Sequence, residues 1–434
     1  MDVHSINSAL LSGQIDIPRV FPHRDKLLKA PINFKINFGL ESMPTEPGLI
    51  LIRGARQYGK STWIESAIYQ TIVEFGPGTA LYLNGDLISD FKELASQVQT
   101  MASIFPKSVK IKRLFIDEIT AIKNWEKGLK IVIDAGLAED ILMVTTGSKA
   151  TDLMRGTERL PGRKGRLGRT SYLFTPVSFS DFKKCCNNDT IINPLDIYCI
   201  GGGCPIACSE LIQTGQLPDY IREMIRDWIF GEFAMAGRNR TSLINTINAV
   251  LTRGGSTISQ LKLSKEAGLA NNTIASEYIR QLVELMVLGQ SMPFDASKKQ
   301  LIPRKPGKLP FINILAASTF HPGAPSTPAE FQLLQPKIKG IWTEWVVAQE
   351  LWRRAAIRGD KTAEIIPFWQ SDKHEIDFIV NSDEFIEVKS GPASPLEFTW
   401  FPAVFPNNHL TVITTTPFEA GFATGITLEN FLLS

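Results

Sequence analysis

Two short stretches in the first third of this 434-residue sequence carry residue types whose spacing suits phosphate chemistry. The first is Gly54-Ala55-Arg56-Gln57-Tyr58-Gly59-Lys60-Ser61-Thr62, which fits the pattern G-x-x-x-x-G-K-[ST]. Glycines at its ends let the backbone bend so that N–H groups converge on an anion, and a following helix adds its positive N-terminal end. Lys60 would reach the terminal phosphates of ATP, and the Ser61 hydroxyl would ligate Mg²⁺. An apolar run, Gly48 to Arg53, precedes this loop and an amphipathic segment, Thr62 to Phe75, follows it.

The second stretch is Leu114-Phe115-Ile116-Asp117-Glu118, an apolar run that ends in two carboxylates. Asp117 would hold the magnesium through water, and Glu118 would orient or deprotonate an attacking water. The plainer alternative is a strand ending in a solvated acidic turn. Ile141 to Gly147 forms another such run, and Thr146 at its end could sense the terminal phosphate, although hydroxyls there also cap turns. Between 155 and 169, Arg155, Arg159, Arg163, Lys164, Arg166 and Arg169 face only one acid, Glu158. That segment is either a solvated basic loop or the source of an arginine that reaches a neighbouring subunit's nucleotide through two N–H groups.

A third group lies near the C-terminus. Glu375-Ile-Asp377-Phe-Ile-Val380 and Glu387-Val-Lys389 alternate polar and apolar residues. Period-two geometry puts Glu387 and Lys389 on one face of a strand, and Glu375 and Asp377 on one face of its neighbour. The short link Asn381-Ser-Asp383 predicts a hairpin, and Glu344 on a preceding amphipathic helix could approach the same point. Alternation alone would also give a hairpin with a charged outer face.

The elements that must position these residues follow from pattern. Gly48 to Arg53, Thr79 to Asn84, Arg113 to Asp117 and Ile141 to Thr146 are continuous apolar strands separated by helical segments. That order predicts a parallel sheet covered on both faces. Residues 181–240 read as helical. Thr257 to Leu288 reads as helix, glycine turn and helix, with the basic stretch Lys298 to Lys308 as a wing. This module could bind DNA or only pack between domains, since Glu277 and Glu284 flank Arg280 and would repel phosphates. Pro322, Pro325, Pro328 and Pro336 predict a last boundary near 320–335.

Composition sets the outer limits. The length implies two or three domains, and 44% hydrophobic with 21% charged residues is typical of a soluble protein. A formal charge of +2 confines any nucleic-acid role to local patches. No apolar run reaches the roughly 20 residues that cross a bilayer, and the N-terminus lacks a signal-peptide pattern, so a cytoplasmic location is expected. Cys185, Cys186, Cys199, Cys204 and Cys208 are an odd number without a C-x-x-C pair, which favours buried free thiols over disulfides or zinc.

Together these residues resemble a prokaryotic AAA-type P-loop ATPase family with a winged-helix module and a C-terminal PD-(D/E)xK nuclease-like domain. The resemblance rests on Gly54 to Ser61, Phe115 to Glu118, Thr146-Gly-Ser148, Leu167-Gly-Arg169, Pro176-Val-Ser-Phe-Ser-Asp-Phe182 and Gly201-Gly-Gly-Cys-Pro205. It implies an α/β P-loop ATPase domain over 1–180, a helical lid over 181–240, a winged helix over 241–325 and a restriction-endonuclease-like α/β domain over 326–434. It makes Arg169 the first choice for the trans arginine, ahead of Arg166 and Arg163. Val177 departs from the usual leucine, and the extra Gly-Arg pairs at 162–163 and 165–166 blur that assignment. It further implies that Asp377 and Glu387, with Glu344, bind Mg²⁺ while Lys389 helps deprotonate a metal-bound water. ATP and Mg²⁺ are the cofactors expected, and DNA, a homo-oligomer such as a ring, and a protein partner are the associations. Three functions follow: an ATP-gated nuclease, a DNA-binding switch with a non-catalytic nuclease fold, or a nucleotide-dependent protein scaffold.

Overall fold

In the computed structural model, residues 2–16, 19–148, 160, 162–163, 165–186 and 193–434 are described. The chain divides into two compact units, Met1–Thr175 with Ala356–Gly359, and Pro176–Ala355 with Asp360–Ser434.

In the first unit, β1 (Gly48–Gly54), β2 (Ala80–Asn84), β3 (Arg113–Asp117), β4 (Leu142–Gly147) and β5 (Ser171–Phe174) form one sheet in the order β2-β3-β4-β1-β5. Every pairing is parallel. The first four strands stand where the apolar runs predict them; β5 is only four residues long and follows the basic stretch, so no pattern announced it. Leu49, Leu51, Leu81, Leu83, Leu114, Ile116 and Met143 pack in one core with the helices Phe91–Ile104 and Trp125–Asp134. Burial of whole strands on both faces is what makes them read as unbroken apolar runs. The lead-in also has a use. Asn7, on the helix Val3–Ser12, donates to the Tyr82 carbonyl and accepts from the Tyr82 N–H, both at 2.8 Å. Its amide thus imitates a neighbouring strand and closes the open edge at β2. The register pairs Ile52 with Thr146 and Ile116 with Thr145, so the loop after β1, the carboxylates after β3 and Thr146 share the C-terminal edge of the sheet.

The second unit begins with the helices Phe179–Cys185, Pro194–Gly201, Pro205–Thr214 and Asp219–Met235, in the region expected to be helical. Gly202 and Gly203 turn the chain between two of them at φ of 60° and 71°. A Cβ on Gly203 would lie 2.4 Å from the Val177 carbonyl oxygen, so this junction needs glycine. All five cysteines are free thiols, four of them buried. Next come the helices Arg240–Thr252, Gln260–Glu266 and Asn272–Glu284, the last two capped by the side chains of Ser259 and Asn271. A short hairpin, β6 (Phe294–Asp295) with β7 (Gln300–Leu301), follows.

That hairpin begins at Phe294, ahead of the basic stretch Lys298 to Lys308 expected as the wing. Phe294 lies in the core of the C-terminal sheet, with Ala296 and Leu301 packed against it. Main-chain bonds from Gln290 N–H to Glu364 O (2.8 Å) and from Ile366 N–H to Gln290 O (2.9 Å) tie the preceding segment to the C-terminal part. The 241–325 segment and 326–434, apart from Ala356–Gly359, fall in one unit. The C-terminal sheet joins β10 (Phe378–Val380), β11 (Glu384–Val388), β12 (His409–Ile413), β14 (Ala423–Ile426) and β13 (Phe418–Ala420) in that order. β10 and β11 are the expected antiparallel hairpin, whereas β11–β12 and β12–β14 run parallel. Before it, β8 (Trp369–Gln370) pairs with β9 (Glu375–Ile376). No helix among the described residues is long and apolar enough to cross a membrane.

Candidate nucleotide site and C-terminal acidic cluster

The loop after β1 has the conformation its glycines allow. A Cβ on Gly54 would sit 2.6 Å from the Phe174 Cβ, so the approach of β5 excludes a larger residue. Gly59, at φ 99°, precedes the helix Lys60–Phe75, which Ser61 and Thr62 continue. Ala55 and Tyr58 are buried while Arg56 and Gln57 are exposed. Lys60 is 6% exposed, and its Nζ donates to the carbonyl oxygens of Gly54 (2.9 Å) and Ala55 (2.8 Å). A helix N-terminus, an ammonium and a hydroxyl at one bend are the donor set that a triphosphate requires.

Asp117 ends β3, and its Oδ1 accepts the Thr146 hydroxyl and the Glu118 N–H (3.1 Å). The Glu118 N–H also reaches the Thr146 oxygen at 3.1 Å. Buried Thr146 therefore holds the Asp117 carboxylate and the Glu118 main chain in place. Glu118 sits at φ 51°, and its Oε1 accepts from the Ser148 N–H (2.9 Å), the Ser148 hydroxyl (2.7 Å) and the Thr120 hydroxyl (2.8 Å). Burial pushes the Glu118 carboxyl up, but the Lys60 charge and the Ser148 bonds outweigh it and hold the pKa below the ordinary value. Glu118 is thus kept as a carboxylate. Thr120 is the residue that sequence reasoning misses here; Ser148 enters it only as part of Thr146-Gly-Ser148, without a role.

Of the basic stretch, Arg155, Arg159 and Lys164 lie outside the described residues. Arg163 pairs with Asp134 through Nε at 2.6 Å and Nη2 at 3.2 Å. Arg169 donates to the carbonyl oxygens of Ser171 (3.0 Å), Ile357 (2.6 Å) and Ala356 (2.7 Å). Its guanidinium also lies over the Tyr172 ring, 4.3 Å from the centroid. A role for Arg169 at a neighbour's nucleotide requires these bonds to be given up.

Residues 46–183, which hold both phosphate-site stretches, match a protein-family model described as an AAA domain. The chain carries an AAA-type P-loop ATPase domain. No curated protein matches the chain in a sequence comparison. Solved structures similar to it include the Walker-type ATPase paby2304 of Pyrococcus abyssi, at 15% identity over 70% of this chain and 96% of that one, with a TM-score of 0.42. A RuvB of Thermotoga maritima matches at 14% identity, covering 56% and 82%, with a TM-score of 0.31. DnaA of Aquifex aeolicus with AMPPCP matches at 16% identity, covering 57% and 84%, with a TM-score of 0.30.

Beyond the AAA domain, the second unit gathers the C-terminal set. Asp377 Oδ2 accepts from the Val388 N–H (2.9 Å), and Glu387 Oε2 accepts from the Asp377 N–H at 3.3 Å. Lys389 donates to Glu387 Oε1 at 2.6 Å. The predicted convergence of Glu375, Asp377 and Glu344 occurs, but around a residue not foreseen there. Lys308, 3% exposed, places its Nζ 2.9 Å from Asp377 Oδ1 and 3.4 Å from Glu344 Oε1, and pairs with Glu375 as well. Lys308, the last residue of the basic stretch, is therefore buried and not exposed. Among the described residues no three His, Cys, Asp or Glu side chains are arranged to hold a metal ion. The expected metal set is divided, with Glu344 and one oxygen of Asp377 turned to Lys308 and Glu387 turned to Lys389.

Burial, with the charge of Asp377 added, pushes Glu344 up to about 7 against the pull of Lys308. Burial and Asp377 likewise push Glu387 up to about 8 against Lys389. Burial works against the charge of Lys308, but Asp377, Glu344 and Glu375 outweigh it and keep the ammonium protonated.

Proposed function

We propose that this chain is an ATP-hydrolysing, Mg²⁺-dependent switch that acts on DNA, with its C-terminal nuclease-like fold serving as a non-catalytic platform. The observation that carries the reading is Glu118, a largely buried carboxylate held ionised beside Lys60 and bonded to Ser148 and Thr120. An ionised carboxylate can orient an attacking water and accept its proton. Lys60 would exchange the Gly54 and Ala55 carbonyls for phosphate oxygens. Ser61 and Asp117 would hold Mg²⁺, which supplies charge neutralisation on the phosphates. Thr146 would keep Asp117 and Glu118 in register, and in a homo-oligomer Arg169 would be the arginine offered to the adjacent site.

Support for DNA comes from the helical module, read here as a winged helix. Lys262 and Lys265 are exposed on its first short helix, as are Asn272 and Thr273 at the start of the second. Glu277 is paired with Arg238 at 2.8 Å, and Glu284 lies 3.8 Å from Arg280, which lowers the repulsion those acids offer a phosphate. The rival reading, an ATP-regulated metal-dependent nuclease, is favoured by the adjacency of Asp377, Glu387 and Lys389, and Lys308 stands against it.

The test is ATP turnover with and without duplex and single-stranded DNA, the DNA being followed on a gel with Mg²⁺ or Mn²⁺. Turnover abolished by Lys60→Ala and raised by DNA, with the DNA intact, is the expected result. Full turnover in Lys60→Ala would refute the ATPase assignment. Cutting lost in Asp377→Ala would establish the nuclease, and indifference to every DNA would leave the protein scaffold.

A further inference from the structure

We infer that Lys308 is the resident cation of the C-terminal acidic cluster: its ammonium occupies the space among Glu344, Glu375 and Asp377, so a lysine locks two of the three carboxylates, Glu344 and Asp377, that the expected metal set would need. This holds whether or not the chain acts on DNA or hydrolyses ATP.

The geometry is specific. Carboxylates from two separate segments, the helix Pro336–Arg358 and the Glu375–Asp377 stretch, turn to a single Nζ. A Mg²⁺ or Ca²⁺ ion binds carboxylate oxygens at about 2.0–2.6 Å. Such an ion, drawn in by these same oxygens, would have to share their centre with an ammonium 2.9 Å from one and 3.4 Å from another. Two cations cannot share that space, so one must leave.

Lys308 is poorly placed to leave. Its N–H donates to the Ser291 carbonyl and its own carbonyl accepts from the Ser291 N–H, both at 2.9 Å. The residue before it, Gly307, accepts from the Ile258 N–H at 2.8 Å, and a Cβ there would lie 2.5 Å from the Ser291 oxygen. The backbone is therefore clamped on both sides, and Nζ lies 5.5 Å from the Phe368 ring centroid. Only 3% of the residue is exposed. Because Lys308 belongs to the segment that follows the helical module, the same ion pairs pin that segment to the C-terminal sheet.

The experiment is Mn²⁺ binding to the full chain without nucleotide, read by electron paramagnetic resonance, alongside thermal melts with and without Mn²⁺. Three proteins are compared: wild type, Asp377→Asn and Lys308→Met. Wild type should show no Mn²⁺ binding that Asp377→Asn removes, and its melt should not respond to the metal. Lys308→Met should bind Mn²⁺ at least about tenfold more tightly than wild type. If that variant folds poorly, Mn²⁺ should raise its melting temperature where it leaves that of wild type unchanged. Millimolar or tighter Mn²⁺ binding by wild type that disappears in Asp377→Asn would overturn the inference. So would a Lys308→Met protein that gains neither binding nor metal-dependent stability.

Discussion

Each unit of this chain sets a buried lysine near acidic groups, and the partners of the two lysines differ. Lys60 is held by the neutral carbonyls of Gly54 and Ala55, whereas Lys308 is held by the carboxylates of Glu344, Glu375 and Asp377. Carbonyl partners can be exchanged for phosphate oxygens, and a bond from an ammonium to a neutral carbonyl contributes about 1.5–3 kcal/mol net. Giving up carboxylate partners would leave several buried charges uncompensated. Protonation follows the same division. The Lys60 charge and the Ser148 bonds keep Glu118 ionised, while burial and mutual repulsion drive protons onto Glu344 and Glu387. Similar residue types thus give a site open to a ligand in one place and a sealed one in the other.

The largest test of this contrast is at the two glutamates. Glu118→Gln keeps the shape and nucleotide contacts but removes the base, so ATP turnover should fall by about 10²–10⁴-fold with nucleotide affinity retained. Glu387→Gln should leave turnover within a few-fold of wild type. Steady-state kinetics with a separate nucleotide-binding measurement decides the matter. Comparable losses in both variants would mean that the two sites are not functionally distinct.

What the sequence disclosed follows the same line between the sites. Gly54 to Ser61 is contiguous, and Asp117 and Glu118 end a strand whose apolar run is unbroken, so local order alone predicts their meeting. The alternation at Glu375 and Asp377 was also legible, and both side chains do turn to one point. Lys308 was not. Within the sequence it is one of several basic residues between Lys298 and Lys308, and only pairing with Ser291 and packing of Phe294 into the C-terminal core bury it. Its acidic partners lie 36 and 69 positions away, beyond the reach of any local period. The role of Asn7 at the β2 edge escaped for the same reason, with 75 positions separating it from Tyr82.

The next effect in size concerns stability. Lys308→Met leaves buried carboxylates without their cation and should cost the second unit about 3–5 kcal/mol in denaturant unfolding. Lys60→Met removes the bonds to the Gly54 and Ala55 carbonyls and the charge that Glu118 faces, so a smaller loss of about 1–3 kcal/mol is expected for the first unit. Urea titrations of both variants against wild type give the comparison directly. Equal losses would show that carbonyl and carboxylate partners hold their lysines alike, and the proposed distinction between the sites would fail.

The smallest effect is a slope with pH, and its sign separates the sites. Glu387 is raised from an ordinary value of 4.5 to about 8, so between these values the folded state holds a proton that the unfolded state has lost. Stability then falls as pH rises through this window and levels off above about pH 8. Glu344, raised to about 7, adds to the same slope. Glu118 behaves oppositely: its lowered pKa contributes stability that is present above the ordinary value and is lost only as the solution is acidified through the lowered one. From about pH 5 to pH 8, Glu118 should therefore contribute no slope while the C-terminal cluster contributes a negative one. Glutamine at 387 imitates the protonated acid, so Glu387→Gln should match wild type near pH 5 and exceed its stability near pH 8. Urea unfolding at those two values suffices, and a variant whose stability falls with pH as steeply as wild type would show that Glu387 is not a group that burial has neutralised.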